Sequence, residues 1–173
     1  PVIPPITPVD TPCWHYRKAF DLNKRDGRKY YIVFEGVDSA FYLFINGEFK
    51  GYSQISHSQS EFDVTELVKD GENVVDVLVL KWCAGSYLEC QDKFRMSGIF
   101  RSVYVLDRPQ KHIGDYKINT EYSDGKWVLS VENRGNAGFL ARFMGEEKYI
   151  KPRSRGEFVS VSVEKWSAEN PAL

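Results

Sequence analysis

The sequence predicts an all-β protein, and three observations carry that reading. Aromatic residues make up 14% of the 173 residues, as 4 Trp, 10 Tyr and 11 Phe, and large rings favour pleated, half-buried surfaces. Short apolar runs are bounded by turn dipeptides such as Asn46-Gly47 and Asp124-Gly125, the pairs that two-residue hairpin turns need. No helical periodicity persists beyond a turn or two, so strands have no competitor for the apolar segments.

Five of the eight prolines fall in residues 1–12. That predicts an extended, irregular strap, because proline fixes φ and brings no donor to a sheet. Residues 14–22 and 29–34 read as the first two strands, separated by the polar turn Asn23-Lys24-Arg25-Asp26-Gly27. Residues 41–45 and 48–52 flank Asn46-Gly47 as a hairpin. Residues 53–59 read as a polar loop, 61–64 as a short strand, 65–68 as one helical turn and 73–82 as a long apolar strand. Residues 84–97 have neither period and read as a long functional loop, after which 100–106 form a closing strand.

Arg108-Pro109-Gln110-Lys111 reads as a linker. Beyond it the pattern restarts: a hairpin over 113–122 and 127–132, strands over 139–144 and 148–150, and a last strand over 158–163. There Val159, Val161 and Val163 alternate with Ser160 and Ser162, which predicts a dry valine face. Two domains follow, 1–108 and 109–173, both with sandwich topology. The second is near the lower size limit for independent stability, where a domain buries only about 60% of its unfolded surface.

Lys plus Arg number 23 against 24 Asp plus Glu, a formal charge of −1, so no basic field exists to hold a phosphate backbone and nucleic acid is not an expected partner. No run of about 18 apolar residues is present, and no membrane partner is expected. The opening Pro1-Val2-Ile3-Pro4-Pro5 reads as a piece of a longer protein. Three cysteines without C-x-x-C spacing read as reduced thiols, with a Cys83–Cys90 staple the lesser reading. The length falls short of a (β/α)₈ barrel, which needs about 250 residues.

The loop from Gly85 to Gly98 concentrates the carboxylates Glu89 and Asp92, the cations Lys93 and Arg95, the rings Tyr87 and Phe94, and the Gln91 amide. Carboxylates and amides meet sugar hydroxyls and rings stack on C–H faces. By composition alone the same residues equally describe a solvated loop held by a Glu–Arg pair, and that is the simpler reading. Glu61 and Asp63, two apart on a strand, lie roughly 6–7 Å apart on one face. Glycosidase carboxyl pairs must approach a sugar from two sides, so these two read as structural, capping the turn at Thr65. His15, His57 and His112 are scattered without metal spacing. The four tryptophans read as core anchors.

The ordered set Phe34-Glu35-Gly36-Val37-Asp38-Ser39-Ala40-Phe41-Tyr42, Ile45-Asn46-Gly47, Gly51-Tyr52-Ser53-Gln54, Glu61-Phe62-Asp63-Val64-Thr65, Gly71-Glu72-Asn73, Gly85-Ser86-Tyr87-Leu88-Glu89 and Gln91-Asp92 with Arg95-Met96-Ser97-Gly98-Ile99-Phe100-Arg101 resembles the N-terminal sugar-binding domain of family-two glycoside hydrolases of the β-galactosidase type. The tail Trp166-Ser167-Ala168-Glu169-Asn170-Pro171-Ala172-Leu173 resembles the end of the immunoglobulin-like domain that precedes the family's catalytic barrel.

The resemblance implies an all-β chain: a galactose-binding-like jelly roll, then a short immunoglobulin-like β sandwich. It implies a non-catalytic N-terminal fragment, since the family's catalytic glutamates lie on the barrel, which is the expected partner along with a galactoside-type carbohydrate; it also admits a homo-oligomeric parent. Within the loop, Asp92 matches the family aspartate that meets the galactosyl 6-hydroxyl and a monovalent cation, usually sodium; Glu89, Tyr87, Phe94 and Arg95 are the further substrate-binding candidates. No catalytic residue and no cofactor is expected in this chain alone.

The departures lie in the same loop: Cys83-Ala84 replace a Ser-Asp, Cys90 an Asp, and Lys93-Phe94 a Met-Trp, a shift of about three charge units towards positive. His57-Ser58-Gln59-Ser60 replace an Arg/Leu/Pro-containing segment. An autonomous carbohydrate-binding module using Tyr87, Asp92 and Phe94 is the alternative, and a pure interaction scaffold the third reading.

Overall fold

The computed structural model describes residues 6–89, 92, 94, 96–160, 163 and 166–169. The chain divides into two compact units, Pro1–Gln110 and Lys111–Leu173. The first contains β1 (Cys13–Leu22), β2 (Arg28–Phe34), β3 (Val37–Asp38), β4 (Ala40–Ile45), β5 (Glu48–Ser53), β6 (Ser60–Asp63), β7 (Gly71–Leu80), β8 (Gly98–Ile99) and β9 (Val103–Pro109), with a 3-10 turn at Ala84–Tyr87. These form two antiparallel sheets, β1-β7-β4-β5 and β6-β2-β9, and a short β3-β8 pair. This is a jelly roll.

Alternation decides which residues fill it. Phe41, Leu43 and Ile45 of β4 are buried while Tyr42 between them faces out, and β2 sends Tyr30, Ile32 and Phe34 to the same interior. With Val77 and Val79 of β7 and Val64 and Val68 they make one core cluster, in which the Phe34 and Phe41 rings lie 4.7 Å apart. At the predicted hairpin, Asn46 and Gly47 take φ of 53° and 86°, as a type I′ turn requires. The Asn46 amide then donates to the Leu67 carbonyl at 2.8 Å and to Asn73 Oδ1 at 2.9 Å, fastening the hairpin to the next loop. Asp63 accepts from the Thr65 N–H at 3.0 Å and hydroxyl at 2.6 Å, so it caps that turn as the spacing suggests.

Two expectations are corrected. The tryptophans are not the core anchors: Trp14 and Trp166 are exposed and Trp82 and Trp127 only half-buried, because Tyr30, Phe34 and Phe41 fill the core of the first unit, and Val131, Ile150 and Phe158 that of the second. Arg108 and Pro109 are strand rather than linker, paired with Lys29 and Arg28; the Arg108 guanidinium grips Glu61 at 3.2 Å and covers the Tyr31 ring. Beyond Ser53 the segment to residue 59 is a polar loop as expected, and it buries Ser56 fully.

The second unit contains β10 (Tyr116–Ser123), β11 (Lys126–Asn133), β12 (Phe139–Phe143), β13 (Glu146–Ile150) and β14 (Arg155–Ser160), as a β10-β11-β14 sheet and a β12-β13 pair. It is a short immunoglobulin-like sandwich. Asp124-Gly125 turns the first hairpin as predicted, and Met144-Gly145, at φ 49° and 86°, turns a second. On β14 the valine face is the wet one: Val159 is exposed and Phe158 is buried, its ring 6.0 Å from Phe143. One large ring inward outweighs one valine outward. Buried Asn133 locks the centre, donating to the carbonyls of Ala137 at 2.8 Å and Lys151 at 3.1 Å and accepting from the Gly135 N–H at 2.9 Å.

Candidate functional site: the loop between β7 and β8

The loop with the candidate residues leaves the first sheet at the end of β7 and returns through β8. Its outgoing limb is rooted in a buried cluster of small polar side chains. Ser39 Oγ lies 2.9 Å from Ser86 Oγ and 3.2 Å from Cys83 Sγ, while Ser86 Oγ accepts from the Cys83 N–H at 3.0 Å. These bonds close the 3-10 turn and bind it to the segment following β3. Cys83 is a buried free thiol and Cys13 an exposed one.

A second tie lies one turn further on. The Ser56 hydroxyl is 2.7 Å from Glu89 Oε2 and 3.2 Å from Asp38 Oδ1, so a buried serine from the 53–59 loop meets two carboxylates from two other segments. Glu89 is thereby held at the root of the loop. Tyr87, half-turned to solvent, donates its hydroxyl to the Ile6 carbonyl at 2.7 Å, and the strap is clipped again where Trp82 N–H donates to Thr11 Oγ1 and Lys81 N–H to the Pro12 carbonyl. The returning limb is fixed by backbone: Gly98 pairs with Asp38 and Ile99 with Val37, and the Phe100 N–H donates to the Gly36 carbonyl.

Beyond these roots the described side chains face solvent. Asp92 is exposed with a left-handed φ of 53°, and Leu88, Phe94 and Met96 are 88%, 91% and 70% exposed. Arg95, with Cys90, Gln91 and Lys93, lies outside the described residues. The predicted set thus separates by position: Glu89 and Tyr87 sit at the root, tied to Ser56 and the strap, while Asp92 and Phe94 sit at the tip. Chemically, such a tip can accept hydrogen bonds from hydroxyls on a carboxylate and cover an apolar face with a ring. Sequence reading missed Ser39, Ser56 and Ser86, since buried serines in irregular segments leave no periodic trace.

Residues 1–109 match the family described as glycosyl hydrolases family 2, sugar binding domain. The chain belongs to that family. Family-2 relatives extend over the whole chain: it is 45% identical to a β-galactosidase of Staphylococcus xylosus and 50% identical to one of Actinobacillus pleuropneumoniae, in both cases over 100% of this chain and 18% of the relative. The chain therefore spans about a fifth or less of the curated relatives it matches. Among solved structures, a β-glucuronidase from an uncultured Clostridium covers 94% of this chain and 32% of its own, with a TM-score of 0.73 at 19% identity. A Ruminococcus gnavus β-glucuronidase gives 0.72 at 20% identity, over 92% of this chain and 31% of its own. At these identities the structures share the fold.

Proposed function

We propose that this chain is the non-catalytic N-terminal part of a β-galactosidase-type glycoside hydrolase, in which the jelly roll scaffolds a catalytic barrel and lends the β7–β8 loop to its sugar site. The observation that carries it is the contrast within that loop: buried hydrogen bonds fix both limbs, while an apolar and acidic tip of Asp92, Phe94 and Met96 stands in solvent, with exposed Leu88 beside the root. A tip carried on roots fixed in this way and left uncovered suits a surface that completes a neighbouring site. The β-galactosidases that match along the whole chain support a galactoside as the substrate class, with Asp92 accepting from a sugar hydroxyl and Phe94, Glu89, Tyr87 and Arg95 around it. A homo-oligomeric parent is compatible with this reading.

The resemblance also implies sodium at Asp92. Among the described residues no three His, Cys, Asp or Glu side chains gather closely enough to hold a metal ion, and one exposed carboxylate is a single hard donor where such a cation takes several. The described residues alone do not fit the ion, so no role is routed through it.

The isolated chain should show no turnover of an aryl β-galactoside. In the longer polypeptide, Asp92→Ala should depress kcat/KM at least about tenfold, the loss expected from one hydrogen bond to a charged group. Turnover by the pure 173-residue chain that disappears in Asp92→Ala would refute the reading. Titration of galactosides against the isolated chain, followed by tryptophan fluorescence, separates it from an autonomous binding module. Saturable binding tighter than millimolar, lost in Phe94→Ala, would favour the module.

A further inference from the structure

The two sheets of the jelly roll do not match strand for strand. β6 lies over β5, where the Ser53 and Ser60 hydroxyls are 2.7 Å apart, and β2 lies over β4 through Phe34 and Phe41. Continuing the two orders places β9 over β7 and leaves β1, the fourth strand of its sheet, with no strand of the three-stranded sheet across from it. On that side the sheets gape. A groove of about 450 Å³ opens there, lined by Tyr16 and Phe20 of β1, Val75 and Val77 of β7, Phe34 of β2 and Val105 of β9. Tyr16 and Val103 at its mouth are exposed. These are core-facing positions by strand alternation, yet water reaches them.

The edge beside the groove is also open. The Ser102 carbonyl accepts from the Glu35 N–H, and the Gln110 N–H donates to the Gly27 carbonyl. In an antiparallel strand the N–H and C=O of one residue share a side and successive residues alternate. Tyr104, Leu106 and Arg108 therefore turn their peptide groups to β2, and Val103, Val105 and Asp107 turn theirs to the free edge. Edge strands that face water for good are blunted by charge, proline or bulges. The run Val103-Tyr104-Val105-Leu106 beside the groove has none of these, which enter β9 only at its far end with Asp107, Arg108 and Pro109.

We propose that this groove seats one further β-strand, with apolar residues at alternate positions, which hydrogen-bonds along β9 opposite β1 and comes from polypeptide outside these 173 residues. It would give the smaller sheet a fourth strand and cover the inward side of β1. The supply is ample in the relatives, where the region matching this chain is 18% of the length. The inference rests on the reading that the chain is part of a longer enzyme.

The test compares amide hydrogen exchange in the 173-residue chain and in the polypeptide expressed from the complete reading frame. The amides of Val103, Val105 and Asp107 should exchange at least about tenfold more slowly in the longer polypeptide, as paired strand amides do relative to open-edge ones. Val103→Asp, at a side chain 40% exposed, should lower melting of the 173-residue chain by only a few degrees and should abolish the added protection in the longer polypeptide. Equal exchange in the two polypeptides overturns this proposal and leaves the proposed function standing. A reading frame that adds nothing to the 173 residues overturns both. Protection that arises in the 173-residue chain as it dimerises would make a second copy the occupant and overturn it as well.

Discussion

Replacing Gly98 with alanine should loosen the return limb of the β7–β8 loop and destabilise the jelly roll by an amount that the geometry sets. Gly98 is buried, has a φ of 120° and pairs with Asp38. A side-chain-bearing residue held in a conformation that suits glycine costs about 1–3 kcal/mol. A Cβ would also sit 2.8 Å from the Tyr16 hydroxyl oxygen. Tyr16 is 39% exposed and can swing outward, so this contact adds at most about 1 kcal/mol. Together the loss is about 1–4 kcal/mol, and at roughly 4 °C per kcal/mol for a domain of this size the melting temperature falls by about 4–16 °C. Thermal and urea unfolding by circular dichroism measure it. Adding Tyr16→Phe removes only the oxygen, so it should return no more than about 1 kcal/mol. A Gly98→Ala chain melting within about 2 °C of the parent would refute the backbone argument, and full recovery by Tyr16→Phe would assign the whole effect to the contact.

Gly47 is the control: at φ 86°, with no atom within 4 Å of where an alanine methyl would stand, Gly47→Ala should cost only about 1 kcal/mol in urea unfolding. Asn133→Ala should cost the second unit about 2–4 kcal/mol by leaving buried backbone groups without partners, seen as a lower melting transition for that unit alone. Acid should weaken the first unit. Hydrogen bonds from Arg17 and then His15 hold Asp76 below the usual carboxylate range; Arg28 and then Arg25 do the same for Asp107. Asp63 is pushed up by partial burial, but Lys29 and Thr65 outweigh that and hold it low. These carboxyls ionise more readily folded than unfolded, so their contribution is complete above the unfolded value of about 3.9 and drains as pH falls through the lower folded values. The urea midpoint should hold to about pH 5 and fall below about pH 4, less steeply in Asp76→Asn.

Most strands are legible in the sequence because each carries a local signal. Asn46-Gly47 and Asp124-Gly125 fix two hairpins, and alternation in β4 fixes which face is dry. The short β3 and β8 are not, because two residues hold no periodicity and their pairing, Asp38 with Gly98, depends on chain 60 residues away. The faces of β14 are misread because three valines suggest a dry side, when Phe158 sits at the opposite parity and wins by area. At the candidate site, composition marks the loop and its tip residues. It does not mark the roots, since Ser39, Ser56 and Ser86 acquire meaning only when tertiary folding buries their hydroxyls beside other polar groups.

The split between root and tip explains how the loop tolerates its departures from the family pattern. Cys83 stands where the family has serine, yet its sulfur lies 3.2 Å from Ser39 Oγ and 3.6 Å from Ser86 Oγ, so a thiol replaces a hydroxyl inside the same cluster. Ala84, where the family has aspartate, is exposed and bears no part of that cluster's side-chain bonding. A lost carboxylate there changes the charge offered to a neighbouring surface and leaves the anchoring hydrogen bonds in place. Loop position and loop chemistry are therefore set by different residues. On that basis Ala84→Asp should change the charge on the exposed side of the turn with little change in stability, within about 0.5 kcal/mol for an exposed site, whereas Cys83→Val should melt the root by removing the buried sulfur that accepts from the Ser39 hydroxyl, at about 1–3 kcal/mol. Equal destabilisation by the two substitutions in urea unfolding would show that the buried and exposed positions of the turn act as one unit.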